Sequence, residues 1–426
     1  MFHYTFPTSM KTNIFFSFCS LLIGTTLAHG AVIMVSPGQS VQAAINNAST
    51  GDEIVLQAGS YNEDLNITGK GLTLRAFSLP WVVNSITVSN SSTPCKFENF
   101  QLLEDLNSTG TNLEVRNANI GGSIRVNQAG LKLTKSSIDK SVSINHSANA
   151  TGLDTQAVIL QSTIKQKLTC KAKRSWICYN EIRYSTISGT SEITGNIFNG
   201  RSKAAIGIEL LSGETQTVIR NNKIHSYRTS SADDMNYSCI GIAVLENVKA
   251  EILNNLIFDC KDSNYRGEEN KVGIGIYVES IAGTKIFGNI IYACEVQHGI
   301  DGLPGNCQVW APNQGVLLYN NCLHSTLWSV SSAGGVVKKN CFDADPKLNT
   351  DGTLKPDSPC IDKGPPDPQY NDRDGSRNDI GMFGGHNFIP DGQTTNKPIV
   401  LGLDVAPIAV PIGGTVTIES TGASVK

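Results

Sequence analysis

Ile206-Gly207-Ile208, Ile240-Gly241-Ile242 and Ile274-Gly275-Ile276 stand 34 residues apart (240−206 and 274−240). Each is followed by an apolar run and a turn: Val218-Ile219-Arg220-Asn221-Asn222, Ile252-Leu253-Asn254-Asn255, and Ile286-Phe287-Gly288-Asn289. Related turns occur at Asn196, Asn321 and Asn340. A repeat this short cannot bury a core alone, so it must stack on its neighbours as one coil of a solenoid. Asparagine suits the bends, because it tolerates left-handed backbone and its amide can bond to the next coil.

Toward the N-terminus the period shortens. Phe97, Val115 and Leu133 are 18 apart (115−97 and 133−115), as are Leu102, Ile120 and Ile138, while Ile124 and Val126 recur as Val142 and Ile144. Each apolar residue would then sit about 4.8 Å above its counterpart. The surplus in the longer coils falls at 225–238, 259–272 and 293–312. Insertions repeated at one register leave a solenoid on one edge, which predicts a flank lined by loops.

The composition agrees with an all-β chain: 40 glycines among 426 residues and no long helical pattern. A net charge of −3 leaves no basic excess for a phosphate backbone, which argues against nucleic acid as a partner. Lys11, the apolar run from Ile14 to Ile23 and the small residues around Ala28-His29-Gly30 predict a signal peptide over 1–30. The run is too short to span a bilayer, so a secreted or cell-surface protein is expected, without a membrane span after cleavage. Cys19 would leave with that peptide. Ten cysteines remain, an even number compatible either with disulfides or with small apolar core residues; Cys170 with Cys178 and Cys294 with Cys307 would close short loops.

At the start of the mature chain, Ser40 is placed to cap a short helix whose Val41, Ala44, Ile45 and Ala48 share one face. Gln42-Ala43-Ala44-Ile45, Gly51-Asp52-Glu53-Ile54-Val55-Leu56 and Gly59-Ser60-Tyr61-Asn62-Glu63 resemble the opening segment of the pectin-lyase-like superfamily of exported β-helix proteins. The resemblance implies a single-stranded right-handed parallel β-helix over 31–345 with a short N-terminal capping helix. The string from Lys355 to Asp362, with Asp372 to Gly381, is similar to the closing segment of exported bacterial β-helix proteins and implies a C-terminal cap over 346–395 that covers the last coil. The tail, 396–426, resembles the start of an immunoglobulin-like domain but is too short for a sandwich.

On this fold the resemblance implies a polysaccharide or cell-surface glycan as partner, lyase-type cleavage, and a monomer. A non-catalytic surface adhesin or structural protein needs the same solenoid without a base or metal. Lyase chemistry requires a base poised near working pH and a cation to neutralise the uronate carboxylate. The loops offer His225, Tyr227, Arg228, Asp262, Tyr265, Arg266, His298 and Trp310 as substrate-binding candidates; aromatic faces suit sugar rings, and charged groups suit uronates. No residue stands out as catalytic. Asp372, Asp374 and Asp379 space hard oxygen ligands around a turn, as a calcium loop does, although the remaining EF-hand ligands do not follow and Asx-turns explain the same spacing.

Overall fold

The computed structural model describes residues 30–423 apart from 78–79, 147–154, 202–203, 212–215, 229–238, 246, 262–272, 295–306, 325–327, 333–334 and 407–416. The predicted signal peptide lies outside the described residues, Gly30 excepted. The rest winds into a parallel β-helix with three sheets along its length. Sheet A runs from Val32–Val35 and Glu53–Leu56 to Val336–Lys339. Sheet B runs from Gly59–Ser60 and Trp81–Val83 to Cys322–His324, and sheet C from Asp64–Thr68 to Trp328–Ser332. Every pairing in these ladders is parallel.

Both sequence periods belong to one stack of coils, the shorter read in sheet A and the longer in sheet C. Val115 pairs with Phe97 on one side and Leu133 on the other, and Ile240 likewise bridges Ile206 and Ile274. Short and long coils therefore stack in one register, the surplus of the long ones inserted between sheets B and C. Gly207, Gly241 and Gly275 are needed for close packing: a Cβ on Gly241 would lie 2.6 Å from the Gly275 carbonyl oxygen and 2.7 Å from a methyl of Ile257.

The interior is a continuous apolar column, for example Ile159, Ile177, Ile193, Ile219, Ile252 and Ile286, all wholly buried. Its N-terminal end is closed by the helix Val41–Asn47, which seals Val41 and Ile45 into the same core. Ser40 accepts the Ala43 amide, and Glu63 accepts the amides of Val41 and Gln42. Lys70 donates to the carbonyls of Ile45, Asn46 and Ala48 at the other end, where a cation also suits the helix dipole.

At the corner from sheet A to sheet B, asparagine performs two separate tasks. The first residue of each turn adopts left-handed backbone, with φ of 55° at Asn221, 50° at Asn254 and 52° at Asn320. The second is fully buried: Asn180, Asn196, Asn222, Asn255, Asn289 and Asn321 form an internal amide ladder. In each step the side-chain oxygen of one asparagine accepts both the backbone and side-chain N–H of the one before it, as Asn289 does from Asn255 at 2.9 Å each. The remaining amide hydrogen goes to backbone carbonyls such as Ile219. The N-terminal continuation replaces asparagine with Ser162 and Ser136, whose hydroxyls accept the next backbone amide.

After Asn340 the chain turns back and runs along this corner as a strap. Asn320 donates to the Lys363 carbonyl, Asn254 to those of Asp379 and Gly381, Asn221 to those of Met382 and Gly384, and Gln161 to those of Gly392 and Thr395. Lys135 meets Asn396 at its far end. The sheet beneath changes character accordingly. Under the strap the outward positions of sheet B are Leu256, Ile290 and Cys322, all buried; where the strap has ended, the same register carries Gln101, Asn119, Ser137 and Thr163 beside an open groove of about 600 Å³. The C-terminal cap region thus lies along the side wall over many coils. The tail forms two antiparallel strands, Ile399–Ala406 and Thr417–Ala423, with Ile399 packed against Leu160, Cys178 and Tyr179.

All ten described cysteines are free thiols, nine of them buried. Cys170 lies in the main core and Cys178 in a separate cluster beneath the tail, so the short-loop pairing between them does not form.

Candidate functional site

The insertions leave the stack where sheet B hands over to sheet C. Immediately before each departure the backbone enters the left-handed region at a non-glycine residue: Ser226 (φ 61°), Asp259 (φ 57°) and Ala293 (φ 52°). Such conformations are costly, and they gather where a fold must aim side chains. The strand Lys223–Tyr227 pairs with Leu256–Cys260, which brings the turn residues of successive coils side by side.

Here one connected network forms. The Nδ1 of His225 is 3.0 Å from the Ser226 hydroxyl; that hydroxyl donates to Asp259 Oδ2 at 3.4 Å, and Arg228 donates to Asp259 Oδ1 at 2.7 Å. Lys261 stands 4.0 Å from the same carboxylate. One coil earlier, Arg201 pairs with Glu181. Burial against its neighbours, reinforced by Lys223, holds the His225 pKa below its ordinary value, outweighing the pull of Asp259 and Glu181. At neutral pH the imidazole is therefore uncharged and able to accept a proton.

His225 also begins a pile of aromatic rings. Its imidazole stacks on Phe258 at 5.0 Å, and Phe258 on Tyr292 at 5.1 Å, with planes within 7° of parallel. Phe258 lies between the other two rings, and the stacking fixes the imidazole plane.

The other sequence candidates separate. Tyr227, expected on a loop, is wholly buried and donates its hydroxyl to the Arg183 carbonyl at 2.7 Å; the left-handed backbone at Ser226 breaks the alternation that puts Ile224 inside and His225 outside, and turns Tyr227 into the core, where it cannot meet a substrate. Trp310 lies on the outer face of sheet C, tilted against Tyr277 at 5.0 Å, in a small apolar cluster with Ile240 and Ile274. Asp262, Tyr265, Arg266 and His298 lie outside the described residues. Ser226 and Asp259, the links of the network, were hidden in sequence because only the stacking of coils brings them together.

Asp372, Asp374 and Asp379 sit in the strap and their oxygens are already engaged. Asp372 accepts the amides of Asp379 and Gly385, Asp379 accepts that of Asp362, and Asp374 accepts the Ser376 amide and hydroxyl in an Asx-turn. Among the described residues no three ligating groups converge on a cation position. Carboxylates bound in this way to N–H groups do not fit a calcium site.

No protein-family model matches the chain, and no curated protein matches its sequence. Among solved structures it is similar to a mannuronic acid specific polysaccharide family 6 lyase enzyme from human gut microbiota, at 10% identity over 74% of this chain and 87% of that one, with a TM-score of 0.38. It is also similar to the PL6 family alginate lyase AlyGC, at 12% identity over 77% of this chain and 56% of that one (TM-score 0.38). For pectate lyase Pel9A the figures are 14%, 84% and 97%, with a TM-score of 0.27. These likenesses assign no residue a role. On the strength of its own three parallel ladders, the fold is a parallel β-helix.

Proposed function

We propose that this protein is an exported carbohydrate-active β-helix that binds an acidic polysaccharide along the flank between sheets B and C and cleaves it by elimination, with His225 as the base. The observation that carries the reading is the network of His225, Ser226, Asp259 and Arg228 at the root of the insertions. An uncharged imidazole held in a fixed plane suits removal of the C5 proton of a uronate. As that proton moves to nitrogen, a C4–C5 double bond forms, the C4–oxygen bond breaks, and the leaving oxygen takes a proton from water. Arg228 and Lys261 against Asp259, with Lys223 close enough to His225 to lower its pKa, supply the positive charge that a uronate carboxylate requires.

The test is to incubate the purified protein with uronate polymers and follow the unsaturated product by its ultraviolet absorbance. Product that disappears with His225→Ala supports the reading. Binding across a glycan panel without any product would transfer the protein to the adhesive class, and product formation unaffected by His225→Ala would remove the base from this site.

A further inference from the structure

Two thiols join the strap to the solenoid. Cys322 lies on the last full strand of sheet B, Cys322–His324, and Cys360 lies in the returning strap. Both are completely buried in one apolar cluster with Leu256, Ile290, Ile380 and Met382, and the Cys322 thiol, which donates to the Ala344 carbonyl at 3.3 Å, stands near enough to Cys360 for each to be a neighbour of the other in that cluster. The surrounding backbone fixes both: Cys322 pairs with Phe342, the Cys360 amide donates to Ser358, and the Cys360 carbonyl accepts the Ile380 amide at 3.0 Å.

From this juxtaposition we propose that Cys322 and Cys360 form a disulfide that fastens the strap to the wall of the β-helix. The reaction removes one hydrogen from each thiol: two S–H bonds break, one S–S bond forms, and two electrons and two protons pass to a disulfide oxidant such as oxidised glutathione, which leaves as two thiols. Cys260 and Cys294 are also in contact, but they belong to adjacent coils already joined by a ladder of backbone hydrogen bonds. The strap has no such ladder. Much of its hold on the corner comes from side-chain amides reaching single carbonyls, so a covalent tie changes its freedom far more.

Burial also sets the timing. Cys322 is pushed well above the usual thiol range by its contact with Cys360 and by desolvation, so little thiolate exists while the strap is seated. The bond therefore forms during folding, or when the strap lifts, and once formed it is shielded from reductants.

The experiment refolds the full chain with either oxidised glutathione or a reducing agent, then maps non-reduced proteolytic peptides by mass spectrometry. The expected result is a linked pair carrying Cys322 and Cys360, two hydrogens lighter than the sum of its parts. In the oxidised protein, cleavage within 345–396 should be at least about tenfold slower than in the reduced one, the low end of what a disulfide's constraint gives. Cys360→Ser should abolish both the linked peptide and the redox dependence of cleavage, while Cys341→Ser should leave both intact. A folded, oxidised wild-type chain whose map shows free Cys322 and Cys360, or either residue joined elsewhere, overturns the proposal. This reading of the wild type decides the matter even where a variant does not fold.

Discussion

Asn254 and Asp379 are 125 positions apart, yet the side-chain amide of the first donates to the backbone carbonyl of the second over 2.8 Å. The same amide group also reaches the Asn378 side chain and the Gly381 carbonyl. The left-handed turn at Asn254 points its side chain outward, away from the buried ladder one residue later, and so turns a local backbone requirement into a socket for the returning chain. Asn221 and Asn320 repeat the arrangement on other coils.

Asn254→Gly keeps the backbone conformation and removes only the amide. It should cost about 1–3 kcal/mol, because the strap carbonyls lose their donor in a buried setting. Hydrogen exchange of the amides of residues 378–385 should accelerate, while exchange within sheet A stays as it was. Uniform acceleration across both would show that the strap does not open separately from the coils.

A carboxylate in the inner ladder should be far worse. Asn255 donates its side-chain amide to Ile219, Leu253 and Asn289 and accepts from Asn222 with its oxygen. Asn255→Asp sets an anion against the Asn289 oxygen in a wholly buried position and removes every donor at once. We expect a loss of at least about 3 kcal/mol in denaturant unfolding, the penalty of an uncompensated buried charge. Asn221→Asp, on the outer side of the same corner, should cost less.

The repeats made the ladder register legible before any coordinates, since a column of apolar residues at fixed offsets has one way to stack. Ser40 and the Val41 face announced the capping helix for the same local reason. The site was legible only in part. The periodic surplus located the flank, and His225 and Arg228 were named from it, but Asp259 acts across a coil boundary that no local pattern reveals. Tyr227 was misplaced because the left-handed bend at Ser226, which no local pattern announces, reverses the face it would take by alternation. The segment 346–395 was legible as a cap, but its course along the wall was not; the spacing of its aspartates fitted both a cation loop and Asx-turns, and only the fold shows their oxygens facing N–H groups.

The Ile-Gly-Ile motif gives a direct test of the stacking. Gly241→Ala introduces a methyl carbon at 2.6 Å from the Gly275 oxygen and 2.7 Å from Ile257, neither of which can retreat without moving a coil. Overpacking of this kind should destabilise by about 1–3 kcal/mol. Gly283→Ala meets no neighbouring atom, although its φ of 91° still disfavours a side chain. A larger loss at position 283 than at 241 would show that backbone conformation, and not the approach of successive coils, governs these glycines.

Strap stability should fall as pH rises through the weakly acidic range. Burial, opposed by the amides of Gly385 and Asp379 but reinforced by the Asp379 charge, raises Asp372 from 3.8 to about 6. The folded chain then holds a proton that the unfolded chain has released. The associated stability is present below the unfolded pKa and is lost as pH passes the folded one. Asp379, raised for the same leading reason of burial, acts in the same direction. Thermal melts from about pH 4 to about pH 7 should therefore show a decline that Asp372→Asn reduces, the window set by these two carboxyls. An identical decline in the variant would assign it to other groups.

His225 carries the opposite kind of pH signature, in rate and not in stability. Its pKa lies below the ordinary histidine value, chiefly through burial, so the proton-accepting form dominates at neutral pH and disappears on acidification. With a uronate polymer as substrate, kcat/KM should be flat near neutrality and fall on acidification, at a pH below the ordinary histidine range, as the imidazole takes up a proton. His225→Asn should lower kcat by roughly 10²–10⁴, the usual contribution of a positioned base, with little change in polymer affinity. Asp259→Asn tests the support behind it. Without that carboxylate, Arg228 and the Ser226 hydroxyl lose their common anchor and His225 loses a charge that raises its pKa, so affinity should weaken and the acid limb should move to lower pH. A rate that lacks an acid limb or keeps it in His225→Asn, or an Asp259→Asn variant whose binding matches the parent, would detach the chemistry from this network.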